Sequence, residues 1–255
     1  MELVDTHTHL YYLYGTAELD AQMQRCFKNG VRYCLLPNVD RESISKVMGT
    51  VSAFPDNCYA MMGLHPCDVK EDYRDELDVI EKALTAHKIY GIGEIGIDLH
   101  WDQSTLPLQQ QAFRIQTGWA KELGLPVSIH CRNAFDELFE LLEEVQDGRL
   151  TGVLHCFTGD AKQAQRTIDL GLHLGIGGVV TYKNAGLDAV VANLDLRYLV
   201  LETDSPYLPP VPHRGKKNES SYLLYIAQKI ADLHRISIEE VAAATTENAK
   251  RIFSI

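Results

Sequence analysis

No stretch of this 255-residue sequence approaches the ~20 consecutive apolar residues needed to cross a bilayer. The opening residues, Met1-Glu2-Leu3-Val4-Asp5, lack the charged head and apolar run of a secretory signal. The six cysteines form no C-x-x-C pair and no closely spaced framework. That argues against a disulfide-stapled fold and leads us to expect reduced thiols in a cytoplasmic protein. Positive charge is scarce: 24 Lys and Arg stand against 35 Asp and Glu, a formal net charge of −11. An acidic surface repels polyanions at long range, which excludes tight non-specific nucleic-acid binding through a basic face. Any phosphate-bearing substrate then needs a local positive centre. There is no P-loop and no G-x-S-x-G elbow. Gly91-x-Gly93-x-x-Gly96 matches the dinucleotide spacing, but no helix follows at once, so the phosphate-cradling geometry is missing. No Pro/Gly/Ser-rich linker divides the chain, and residues 1–255 read as a single domain.

What is there is an alternation. Short apolar runs read as strands at Leu3–His7, Val31–Pro37, Cys58–Leu64, Tyr90–Ile95, Val127–Cys131, Gly152–Cys156, His173–Gly177 and Tyr198–Glu202. Longer helical patterns lie between them, and two more follow the last strand, at Ser220–Leu233 and Ile238–Phe253. Gly30, Gly124 and Gly171 are placed as left-handed helix stops, and Asp160 and Ser237 as N-caps. Strand–helix alternation implies right-handed βαβ units and a parallel sheet. Eight such units in this length match an α/β (β/α)8 TIM barrel of the metal-dependent hydrolase type, with an open doubly wound sheet as the rival.

In a barrel, polar residues at the C-terminal ends of strands line one mouth. Here they recur: Asp5-Thr6-His7-Thr8-His9, Gly63-Leu64-His65-Pro66, Gly93-Glu94-Ile95-Gly96-Ile97-Asp98, His130-Cys131-Arg132, His155-Cys156-Phe157 and Glu202-Thr203-Asp204. An ionisable group in an apolar run is costly unless paired or metal-bound. A lone strand histidine is usually a satisfied core residue. Four at matching ends, with two carboxylates, point jointly to metal: His7, His9, Glu94, His130, His155 and Asp204. A strand period of two sends His7 and His9 the same way and turns Cys131 and Cys156 outward, as packing rather than ligands. Imidazole and carboxylate donors suit Zn, Mn, Fe, Co or Ni, while Mg favours oxygen. His65 reads as a ligand, a substrate contact or a support for the ligands. Arg132, Lys183, His213 and Arg214 are candidate anion contacts, the last two in the cationic loop Pro212-His213-Arg214-Gly215-Lys216-Lys217.

The order of these motifs resembles the TatD family of metal-dependent deoxyribonucleases, within the amidohydrolase-like barrel superfamily. Asp5-Thr-His-Thr-His-Leu10, Gly63-Leu-His-Pro66, Gly93-Glu-Ile-Gly-Ile-Asp98, His130-Cys-Arg132, His155-Cys-Phe-Thr-Gly159, Thr181-Tyr-Lys-Asn-Ala185, Glu202-Thr-Asp-Ser-Pro-Tyr-Leu208 and Pro212-His-Arg-Gly-Lys-Lys-Asn218 carry the resemblance. It departs at Leu99-His100-Trp101, where an aromatic pair or a charged residue often follows, at Tyr182 for a common Phe, and at Ser220 for a common Pro. The resemblance implies a pair of divalent ions, His7 and His9 holding one with Asp204, His130 and His155 the other, and Glu94 bridging. It also implies hydrolysis of DNA ends or small phosphoesters, with His65, Arg132, Lys183, His213 and Arg214 on the substrate side. Asp204 is the expected proton acceptor and Glu94 the second catalytic carboxylate. A monomer with no membrane or obligate protein partner is expected. One alternative is hydrolysis of an amide, ester or lactone on the same scaffold, where many relatives bridge their metals with a carboxylated lysine in place of Glu94. The other is a non-catalytic metal-binding scaffold.

Overall fold

The computed structural model describes all residues, Met1–Ile255. Eight strands run β1 Leu3–Asp5, β2 Val31–Pro37, β3 Cys58–Met61, β4 Ile92–Asp98, β5 Val127–Arg132, β6 Gly152–Leu154, β7 Leu172–Ile176 and β8 Leu199–Leu201. Their crossover helices are α1 Ala17–Lys28, α2 Ile44–Ala53, α3 Tyr73–Ala86, α4 Leu106–Leu123, α5 Phe135–Val145, α6 Ala161–Asp169 and α7 Leu187–Val191. After β8 come α8 Leu223–His234 and α9 Ile238–Phe253.

Every strand pairing is parallel, in the runs β1-β2-β3 and β4-β5-β6-β7-β8. Two seams join the runs. Between β3 and β4, Met62 N–H donates to Gly91 O at 3.1 Å and Gly93 N–H to Met62 O at 3.0 Å. Between β8 and β1, Thr6 N–H donates to Leu201 O at 3.0 Å and Asp204 N–H to His7 O at 2.9 Å, beside a Thr8–Ser205 bridge. The sheet therefore turns through all eight strands as a (β/α)8 barrel, and the doubly wound rival falls.

The local signals act as read. Gly30, Gly124 and Gly171 take φ of 84°, 65° and 79°. At Gly124 this left-handed turn ends α4 without the clash a Cβ brings. Asp160 and Ser237 each close a capping box, with Gln163 and Glu240, devices worth ~1 kcal/mol each.

The main core lies between barrel and helices. A second, smaller cluster fills the base of the barrel: Val4, Leu35, Met61, Val153 and Val200 from five strands, closed by Ala249 and Phe253 of α9. That plug leaves only the opposite end, at the strand C-termini, open for a site. The regular ladder of β1, β6 and β8 stops at Asp5, Leu154 and Leu201, earlier than the apolar runs suggested. Beyond those points the backbone bends, with φ of 47° at Cys156 and 53° at Asp204.

Candidate metal centre

At the open end, one carboxylate gathers five imidazoles. Glu94 Oε1 lies 2.8 Å from His130 Nδ1, 2.9 Å from His155 Nε2 and 3.3 Å from His65 Nε2. Its Oε2 lies 3.1 Å from His7 Nε2 and 3.7 Å from His9 Nε2. Asp204 Oδ1 is 3.4 Å from His9 Nε2. Glu94, His7, His9 and His155 are buried. Glycines let the strands beside Glu94 approach closely: a Cβ on Gly93 would lie 2.7 Å from Ser128 Cβ, and one on Gly63 2.8 Å from the Ile95 side chain.

Each imidazole is held from behind. His7 Nδ1 bonds Ser128 Oγ at 3.0 Å, His9 Nδ1 bonds Tyr11 Oη at 3.0 Å and His155 Nδ1 meets Glu202 Oε1 at 3.2 Å. His130 is turned round, Nδ1 inward and Nε2 on Asp98 Oδ2 at 2.9 Å. One nitrogen fixed outward and the other presented inward is how proteins orient metal-ligating histidines. His65 differs. Its Nδ1 accepts from Cys67 N–H at 3.1 Å, so in the neutral ring Nε2 carries the proton and donates toward Glu94.

The electrostatics follow from that crowding. Burial works against the Glu94 carboxylate, but His65, His155, His7 and His130 outweigh it and hold its pKa well below the usual range. Burial works against protonating His155 too, yet Glu94 and Glu202 prevail and raise its pKa well above that of free histidine. At His7 burial wins, aided by His155, whose ring stacks on it at 3.7 Å, and the pKa falls. Two carboxylate oxygens cannot satisfy five inward nitrogens, and neutral acceptor nitrogens facing a carboxylate repel it. A divalent cation among these donors removes the conflict, and the set fits one. Three groups have ligand atoms within 4.8 Å of one another: His7, His155 and Asp204; His7, His9 and Glu94; His65, Glu94 and His130. The geometry thus pairs His7 with His155 as closely as with His9, whereas the resemblance grouped them otherwise.

All six expected ligands meet at this centre, and His65 joins them. Their convergence at His7 and His9 does not come from strand alternation, because β1 ends at Asp5; His9 is positioned by its N–H bond to Ser205 O at 2.8 Å. Arg132 is exposed at the end of β5, its guanidinium 5.6 Å from the Trp101 ring. Lys183 is exposed, and Arg214 is exposed and stacks on Tyr182 at 3.8 Å. His213 turns elsewhere: its ring stacks on Tyr222 at 3.8 Å and lines a cavity of about 470 Å³ with Arg25, Lys28 and Glu219. Cys131 packs against the core, and neither it nor Cys156 belongs to a metal-capable group.

Three supporting carboxylates were visible only as strand-end acids. Asp98 orients His130. Glu202, fully buried, takes the Cys156 N–H at 2.5 Å. Asp5 accepts from Thr203 N–H at 2.8 Å and Thr203 Oγ1 at 2.6 Å, and burial pushes its pKa up to about 7. Their signal was a charge fully inside an apolar run.

The chain is similar to known proteins over its whole length. Residues 4–254 match the family model described as TatD related DNase. The chain is 40% identical over 255 residues, 99% of each chain, to YabD of Bacillus subtilis, described as an uncharacterized metal-dependent hydrolase. It is 32% identical over 237 residues, 91% of each, to the 3'-5' ssDNA/RNA exonuclease TatD of Pectobacterium parmentieri. The crystal structure of YjjV, a TatD homolog from Escherichia coli, superimposes with a TM-score of 0.93 at 30% identity, covering 99% of this chain and 98% of the other. The chain belongs to the TatD family and is a metal-dependent hydrolase of that family.

Proposed function

We propose that this protein, acting as a single catalytic domain over its whole length, hydrolyses phosphodiester bonds at the 3' end of a DNA strand. The observation that carries this is Glu94: a carboxylate, not a lysine, stands where imidazoles from β5, β6 and the β1 end converge. The matched family model and the exonuclease relative support the same chemistry. His7, His9 and Asp204 would hold one ion and His130 and His155 a second, with the Glu94 carboxylate available to both. When bound, such ions supply Lewis acidity and lower the pKa of bound water toward ~7.

The chain's own groups do the rest. Asp204 Oδ1, beside His9 and less buried than Glu94, accepts the proton of the attacking water. His65, fixed as an Nε2 donor by Cys67 N–H, points its one N–H at Glu94 here and would pass it to a substrate oxygen once that carboxylate engages a cation. Arg132, Lys183 and Arg214 are exposed surface cations suited to the phosphates that follow, Arg by its fork. His213 lies against Tyr222 and acts through the cationic loop it anchors. The test uses metal-loaded protein and a single strand labelled at either end. Release of mononucleotides from the 3' end supports the reading. Turnover of amides, esters or lactones with inert phosphodiesters would overturn it in favour of the second chemistry.

A further inference from the structure

Outside the cluster of ligands, the mouth carries exposed aromatic rings on two sides. On the β1/β8 side, Tyr12 and Tyr207 are 43% and 51% exposed. Both lean on His9, Tyr12 stacked at 5.4 Å and Tyr207 edge-on at 5.9 Å. On the β4/β5 side, Trp101 is 73% exposed. It is set by His100, whose ring is 4.8 Å away and whose N–H bonds Asp98 Oδ1 at 2.8 Å, and by Arg132 over its face. Asp98 in turn holds His130. In a ring of eight strands, the β8/β1 seam and the β4/β5 pair lie opposite one another. The reaction centre lies between them.

An aromatic ring left in water forgoes the free energy of burial, and these rings stand beside the reaction centre, Trp101 with a guanidinium over its face. A chain of net charge −11 cannot hold a polyanion by general electrostatics. Base stacking on aromatic rings supplies affinity without a basic surface. We propose that Trp101, with Arg132 beside it, and Tyr207, with Tyr12, are two stacking platforms that hold the nucleobases on either side of the scissile phosphodiester. This rests on the phosphodiesterase reading and adds the residues that recognise bases.

The experiment uses the metal-loaded enzyme, a four-residue oligothymidylate, and an abasic strand of the same length and charge. The protein has two tryptophans, and Trp119 is only 9% exposed, so ligand-dependent quenching reports Trp101. The thymidylate quenches this fluorescence and the abasic strand does not. Trp101→Ala and Tyr207→Ala each raise KM for the thymidylate about 5-fold to 100-fold, with kcat little changed and KM for the abasic strand unmoved. Trp101→Phe retains most of the wild-type KM. Equal quenching by both strands, or KM shifts that ignore the bases, would overturn the platforms. Quenching is read whether or not the strand is cut, so a wild type that cleaves neither strand refutes the phosphodiesterase reading separately.

Discussion

Asp98 Oδ2 lies 2.9 Å from His130 Nε2, on the opposite edge of the ring from Glu94. The pair fixes which nitrogen of His130 faces the centre, and raises its affinity for a positive charge. Removing such a partner costs 10- to 100-fold in metal affinity or activity as an order of magnitude. Asp98→Ala should weaken metal binding by roughly that factor, measured by competition with a chromophoric chelator. Wild-type affinity in the variant would show that His130 needs no such support.

Asp204→Asn keeps the shape of the side chain and removes its basicity. We expect turnover to fall by about 10²–10⁴ while the circular dichroism spectrum and thermal midpoint stay near wild type. A variant with near-normal kcat would take Asp204 out of proton transfer.

Exhaustive chelation should abolish hydrolysis, and added Mn or Zn should restore it. Acid should have the same effect as the chelator, because binding requires neutral imidazoles and ionised carboxylates. Metal content measured across a pH series should fall together with activity. Turnover that persists in metal-depleted protein would end the metal-dependent mechanism.

Gly175 of β7 has no room for a side chain: an added Cβ would lie 2.2 Å from Glu202 Oε2 and 3.1 Å from His155 Cα. Gly175→Ala must push Glu202 off the His155 ring or bend the strand. Overpacking of this kind costs about 1–3 kcal/mol, readable in urea unfolding, and His155 should lose metal affinity with it. A variant with unchanged stability and unchanged affinity would show that Glu202 has freedom to move.

Arg25 of α1 makes a forked pair with Glu219, at 3.0 and 2.7 Å. Burial works against the Glu219 carboxylate, but Arg25 and Ser221 outweigh it and depress its pKa. A depressed carboxylate contributes stability at pH above its unfolded value, ~4.3, and loses it as pH falls through the lower folded value. Because the Arg25 side chain is 41% exposed, solvent screening limits the pair to about 1 kcal/mol. Arg25→Ala should lower stability by that amount near neutral pH, with the gap closing in acid. A constant gap from pH 7 to pH 2 would assign the effect to packing instead.

Much of this was legible in the residues. The period of apolar runs, the stops at Gly30, Gly124 and Gly171 and the caps at Asp160 and Ser237 are local chemistry, so they act wherever the chain meets them. Strand ends were less legible: β1, β6 and β8 stop short of His7, Cys156 and Glu202, because a polar side chain reaching into the mouth pulls the backbone off the ladder. The position of the His213 ring was not legible either. A cationic loop in a sequence says nothing of which aromatic it will stack on, and Tyr222 captures the ring.

The sequence alone determined the barrel class and the identity of the six polar residues at its rim, since hydrophobic periodicity and the cost of a charge in an apolar run need no distant partner to be read. Only the tertiary structure decided which imidazoles share Glu94, that Asp98, Glu202 and Ser128 hold them from behind, and that Trp101 and Tyr207 stand exposed beside opposite strand pairs. Those relations join positions up to about two hundred residues apart, and it is the closure of the strand ring that brings them within hydrogen-bonding distance.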